Sequence, residues 1–188
     1  MMHISKIITT IYPLSDAALH KIILLLEPVI FKKGTLIITE NTFVNCIYII
    51  ESGLTRAFTN LKNDQITFWF GYENDIIVGM KSYVEGALCY ENIEALEEVM
   101  AYKIDHEKLK SLFETDLEIA NWGRHFAEIE LLKTEKRLMA RQVKTATERY
   151  LDLGNKHPEI LKRVPLGYIA SYLGITQVSL SRIRAELK

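Results

Sequence analysis

The sequence predicts an α+β protein, with strands first and helices after. Three observations carry this. Short apolar runs separated by turn residues fill Val29 to Ile104, helical periodicity takes over after Asp105, and residues 164–187 hold two amphipathic segments around Gly174. Many short strands between turns indicate a sandwich, a roll or a barrel. A long stretch of helical period without Pro then needs a partner for each apolar face. The closing pair has the pattern of a helix-turn-helix.

The elements follow in chain order. Ser15 can cap a helix from Asp16 to Leu26, with Asp16 at the positive end of its dipole and Pro28 ending it. The strand runs are Val29–Phe31, Thr35–Ile38, Cys46–Ile50, Leu54–Thr59, Ile66–Tyr72, Ile76–Val78 and Val99–Ile104. Turns fall at Lys33-Gly34, 51–53, Lys62-Asn63-Asp64 and 73–75. The run 65–70 alternates and then turns apolar on both faces, as in a strand covered on each side.

Leu109, Leu112 and Phe113 mark a short helix, and Leu117 to Ala140 a long one. The long helix carries two stripes, one of Ile119, Trp122, Gly123, Phe126 and Ile129, the other of Ala120, Ala127, Leu131 and Leu138. One stripe can pack on the β-domain of its own chain. The second suits the same helix of another subunit, in preference to a place under the C-terminal domain. A helix from Gln142 to Leu153, closed by Gly154 as its C′ residue, and a loop at 155–158 complete the linker.

Residues 164–187 read VPLGYIASYLGITQVSLSRIRAEL. Pro165 suits the first turn of a helix. Ile169, Ala170 and Leu173 face inward, Gly174 supplies positive φ, Ile175 sits beneath the turn, and Thr176 caps the next helix, which Leu180 and Ile183 hold in place. The outward face of that second helix offers Gln177, Ser179, Ser181, Arg182 and Arg184, with no carboxylate before Glu186. Short polar residues and Arg are what a helix in the major groove needs. Gln177 and Arg182 are assigned to base edges. Ser179, Ser181 and Arg184, beside Thr176, are assigned to phosphate or flanking contacts.

Composition sets the limits. The chain has 188 residues, 48% hydrophobic and 25% charged, with a net charge of −1. That is ordinary for a globular protein and excludes a disordered or fibrous one. The balance is uneven. Residues 133–188 carry twelve Lys/Arg against five Asp/Glu, and residues 1–132 eleven against nineteen, a pattern that favours a polyanion as partner. No apolar run is long enough for a membrane span and no secretory signal is evident; two cysteines, Cys46 and Cys89, fit a reduced cytoplasmic protein. Histidines 3, 20, 106, 125 and 157 lie outside the strand runs, so no metal site is expected, and no nucleophile-elbow, phosphate-loop or dinucleotide motif supports catalysis.

A β-domain, a long helix and a helix-turn-helix in this order resemble the Crp/Fnr family of bacterial transcription regulators. The residues that carry the resemblance are Phe31-Lys32-Lys33-Gly34-Thr35-Leu36-Ile37, Ile47-Tyr48-Ile49-Ile50-Glu51-Ser52-Gly53-Leu54, and Asn74-Asp75-Ile76-Ile77-Val78-Gly79. Asn41 stands where the family usually has Gly, a change that αL backbone tolerates. The resemblance implies an N-terminal double-stranded β-roll of the cyclic-nucleotide-binding type over residues 1–114, a dimerisation helix over 115–140 and a DNA-binding helix-turn-helix domain over 141–188. It implies a homodimer on duplex DNA and RNA polymerase as a further partner.

In the family's nucleotide cassette this sequence departs from the pattern. Gly79, Met80, Lys81, Cys89 and Tyr90 occupy the ligand positions, with Met80 in place of the ribose-binding Glu and Cys89-Tyr90 in place of the phosphate-binding Arg-Ser/Thr pair. Residues 82–102 contain no Lys or Arg and five glutamates. A buried phosphate there has no cationic partner, so no cyclic nucleotide is expected as cofactor and the effector is left unassigned. The sequence breaks off at Lys188, leaving no hairpin wing after the second helix, which shifts weight onto the basic residues of 133–163. Two rivals stand beside this reading: a ligand-binding or protein-interaction module whose helix-turn-helix serves only packing, and a cupin-like enzyme.

Overall fold

The computed structural model describes residues 2–62 and 64–187. Asn63 of the expected turn and Lys188 lie outside the described residues. The chain opens with helix α1 (Met2–Ile11) and helix α2 (Asp16–Ile23). Eight strands follow: β1 (Glu27–Phe31), β2 (Leu36–Ile38), β3 (Cys46–Ser52), β4 (Thr55–Leu61), β5 (Asp64–Gly71), β6 (Ile76–Val78), β7 (Asn92–Ala95) and β8 (Val99–Asp105). Helix α3 (Met80–Glu85) lies between β6 and β7. The C-terminal helices are α4 (His106–Thr115), α5 (Leu117–Val143), α6 (Ala146–Lys156), α7 (Pro158–Arg163), α8 (Leu166–Leu173) and α9 (Gln177–Glu186).

The strands form two four-stranded antiparallel sheets, ordered β1-β8-β3-β6 and β2-β7-β4-β5. Strand alternation divides the core. On β3, Ile47 and Ile49 face the helical layer, while Ile50 points between the sheets with Ala57, Ile77, Ile93 and Val99. The helical layer takes Ile4, Ile7 and Ile8 of α1, Leu109 of α4, and Ile119 and Trp122 of α5. The Trp122 indole N–H donates to the Ile8 carbonyl at 2.9 Å, closing the one polar group a buried tryptophan brings. Gly123 admits the Phe113 ring, whose Cζ would come within 2.7 Å of an added Cβ.

Several expectations hold at the level of backbone detail. The Ser15 hydroxyl accepts from Ala18 N–H, Asn41 adopts φ 61, and Gly174 adopts φ 70 as the cap of α8. The long helix expected to end at Ala140 runs to Val143. Other expectations are corrected. Helix α1 and strand β7 were not anticipated; β7 is only four residues long and is held by ladders to β2 and β4 rather than by its own pattern. Gly154 does not end a helix. It lies inside α6, where Leu161 of α7 packs 3.0 Å from the place of a Cβ, so the expected loop at 155–158 reduces to a break at His157. Pro165 caps α8 from one position outside it.

Candidate nucleic-acid interface

The helix-turn-helix is assembled from α8 and α9. Ile169, Ala170, Leu173 and Leu180 are buried together, and Ile183 is buried on the same side of α9. The chain reverses through Gly174 in the αL region, with Gly174 N–H bonding Ser171 O and Ile175 N–H bonding Ala170 O, and Ile175 is half-buried beneath it. Thr176 caps α9, its hydroxyl accepting from Ser179 N–H at 3.1 Å. The Ser179 hydroxyl lies 2.9 Å from that of Thr176, so these two residues form the start of the helix as well as its outer surface.

Gln177, Ser181, Arg182 and Arg184 are exposed. Among the described residues neither arginine has a carboxylate within ion-pair range. The Gln177 carboxamide lies over Gly167, 3.3 Å from where a Cβ would stand. Arg141 of α5 lies against the turn, its Nη2 3.0 Å from the corresponding position on Gly174.

Of the nine Lys/Arg between 133 and 163, six are engaged inside the chain, Arg137 through the Thr134 hydroxyl at 2.8 Å. Lys133 meets Asp75 and Glu130, Lys144 meets Asp152, and Lys162 meets Glu159. Arg163 forks onto Glu73 and Glu97, and Arg149 donates to the carbonyls of Lys144 and Leu173. The basic excess of this segment is therefore smaller in space than in sequence. Nothing local in the sequence marks the partners of Arg149 and Arg163, which lie up to ninety residues away.

The cassette positions are also placed. Gly79 and Cys89 are buried, whereas Met80, Lys81 and Tyr90 are exposed. The Cys89 thiol fills the space beside Gly79, where an added Cβ would approach it to 2.7 Å. Ser82, missed by sequence reasoning, organises the loop: its hydroxyl donates to Ala87 O at 2.7 Å, accepts from Val44 N–H at 3.2 Å and lies 3.1 Å from Cys89 Sγ. Beside Gly79, then, a thiol and a hydroxyl are already joined to each other.

Three of the histidines meet named partners. His106 stacks on Tyr83 at 4.1 Å, His125 lies near Tyr12 and Glu128, and His157 Nδ1 is 2.9 Å from the Tyr72 hydroxyl. Burial, Lys156 and Lys133 hold the His157 pKa below its ordinary value.

Residues 28–116 match the family model of the cyclic nucleotide-binding domain. Solved structures match over nearly the whole chain. The regulator CLP of Xanthomonas campestris, described as c-di-GMP responsive, superposes with a TM-score of 0.72 at 16% identity, over 92% of this chain and 91% of that one. FixK2 from Bradyrhizobium japonicum gives 0.72 at 19% identity, over 86% and 84%. A transcriptional regulator of the Crp/Fnr family from Eubacterium rectale gives 0.73 at 18% identity, over 94% and 87%. This is a Crp/Fnr-type fold. Comparison with curated proteins finds no match. Within the Crp/Fnr-type fold, the nucleotide-binding match covers the strands and α4, and the helix-turn-helix lies outside it. No helix among the described residues is long and apolar enough to cross a membrane.

Proposed function

We propose that this chain is a sequence-specific, DNA-binding transcription regulator that acts as a homodimer in the cytoplasm, with RNA polymerase as a further partner and no cyclic nucleotide as effector. The observation that carries the reading is the outer face of α9. Gln177, Ser181, Arg182 and Arg184 project outward together, none paired to a carboxylate among the described residues. Such a face supplies the bidentate donors and short polar groups that read base edges and phosphates. In this reading residues 1–114 form the roll, 115–140 the dimerisation helix and 141–188 the reading head. Thr176 and Ser179 give phosphate contacts from the helix start.

The dimer is supported by the second stripe of α5. Leu131 is 70% and Leu138 56% exposed in the single chain. Two recognition helices related by a twofold axis would enter successive major grooves about one helical turn apart. The cassette residues Gly79, Met80, Lys81, Cys89 and Tyr90 remain as the wall of a self-filled loop.

The test is selection of preferred sites from a random duplex pool, followed by mobility shift at increasing salt. Affinity for the selected site should fall steeply with salt and exceed that for unrelated DNA by at least about a thousandfold. Arg182→Ala should cost about 1–3 kcal/mol on the selected site and much less on unrelated DNA. No enriched sequence, or equal loss on both duplexes, would remove the base-reading role.

A further inference from the structure

The reading head does not hang from α5 alone. Helix α8 lies along β5, the outer strand of its sheet, and an outer strand leaves alternate N–H and C=O groups without a ladder partner. Thr67 N–H and Gln65 C=O, two residues apart, point the same way from that edge. Ser171 meets both. Its hydroxyl accepts from Thr67 N–H at 2.9 Å and donates to Gln65 O at 2.8 Å. One side chain of the helix-turn-helix thus stands where a neighbouring strand would.

Two further contacts repeat the connection from other elements. Arg163, at the end of α7, reaches Glu73 in the β5–β6 turn at 2.9 and 3.2 Å, and Glu97 between β7 and β8 with Nε at 3.3 Å and a second, closer contact. Glu73 is itself held by Gly53 N–H at 3.1 Å. The Arg56 guanidinium of β4, almost wholly buried, lies 3.7 Å from the ring centre of Tyr168 in α8 while bonding Thr67 and Gln65. Beneath these, Leu54 and Phe70 of the roll share one apolar cluster with Leu153, Leu173 and Leu180.

We infer that Ser171 and Arg163 are positioning residues for DNA recognition: they fasten α8 and α7 to the roll of their own chain and so fix the direction of α9. The break between α5 and α6 at residues 144–145 is then not a free hinge. The separation of the two recognition helices in a dimer is set by the rolls. This rests on the DNA-binding reading above.

The experiment compares the full-length wild type with Ser171→Ala and Arg163→Gln. Amide hydrogen exchange over residues 64–71 reports the docking without DNA, and binding to the selected and to unrelated duplexes reports its use. Circular dichroism first establishes that each variant keeps its helix content, and Arg163→Gln serves if Ser171→Ala does not fold. The expected result is faster exchange at Thr67 in Ser171→Ala. In both variants preference for the selected site should fall on the order of tenfold, with affinity for unrelated DNA within twofold. Unchanged exchange at Thr67 in Ser171→Ala overturns the inference, as does faster exchange with the preference intact. A wild type that selects no sequence overturns the DNA-binding reading itself, and the positioning role with it, whereas a selective wild type with equally selective variants overturns only the positioning role.

Discussion

The guanidinium of Arg149 closes two helix ends at once. It donates to Lys144 O, after α5, and to Leu173 O at 2.9 Å, at the end of α8, where the helix dipoles are negative. Its Nε is buried without a partner among the described residues, a cost offset by those charge-assisted bonds. His157 is the residue where acidity enters. Its pKa is lowered by burial first, then by Lys156 and Lys133, so the unfolded chain binds this proton more readily than the folded one. Stability from neutral His157 is full above the unfolded imidazole value near about 6.5 and declines as pH falls below it. Asp75, raised by burial, shifts stability the other way as its carboxylate takes up a proton. The melting midpoint of the wild type should therefore drop between about pH 7 and pH 5. His157→Gln, keeping a partner for Tyr72, should flatten that slope in thermal melts at matched pH; an identical slope in both proteins would rule out this histidine as its source.

At the scale of elements, α5 divides into two stretches. Its first half is buried through Ile119 and Trp122, and its second half exposes Leu131, Leu132, Leu138 and Met139. Leu131→Asp combined with Leu138→Asp should convert a dimer into a monomer in sedimentation velocity. The melting of the single chain should change little, because both side chains already face solvent there. Burying one leucine contributes about 1.5–3 kcal/mol, so four such residues across a twofold interface suffice to decide association. A wild type that sediments as a monomer at all concentrations would remove the role given to the second stripe. Strand β5 also serves two partners, with Phe68 and Trp69 packed in the roll and Phe70 under Tyr172 of α8 at 5.1 Å between ring centres. Its apolar second half, read as a strand covered on both faces, has that cause, and the bulge at Phe68 turns the strand between them.

At the scale of the molecule, a roll of the cyclic nucleotide-binding type, with Cys89 packed beside Gly79, carries a helix-turn-helix bonded to its edge. Adding cyclic AMP or cyclic GMP at about 1 mM should move the melting midpoint by less than about 1 °C, since a ligand stabilises only in proportion to its occupancy. A shift of several degrees would show that the Ser82–Cys89 pair gives way to phosphate. The strands were legible because alternation and turn residues are local, and the helix-turn-helix because Gly174 acts through its own backbone and Thr176 through a hydroxyl bonded only three residues on. Helix α1 and strand β7 were not legible, because each is stabilised by what covers it: α1 by Trp122, β7 by two neighbouring strands.

The amino-acid order alone determined the succession of strands, long helix and paired helices, the cap and turn that aim α9, and the lack of any cation in residues 82–102. These are matters of period, backbone preference and composition, which residues carry with them. Only the tertiary structure decided which cations are free and which are spent, that Cys89 and Ser82 occupy each other beside Gly79, and that Ser171 completes the edge of β5. Those depend on groups far apart in the chain meeting at hydrogen-bond distance, and no local pattern encodes such a meeting.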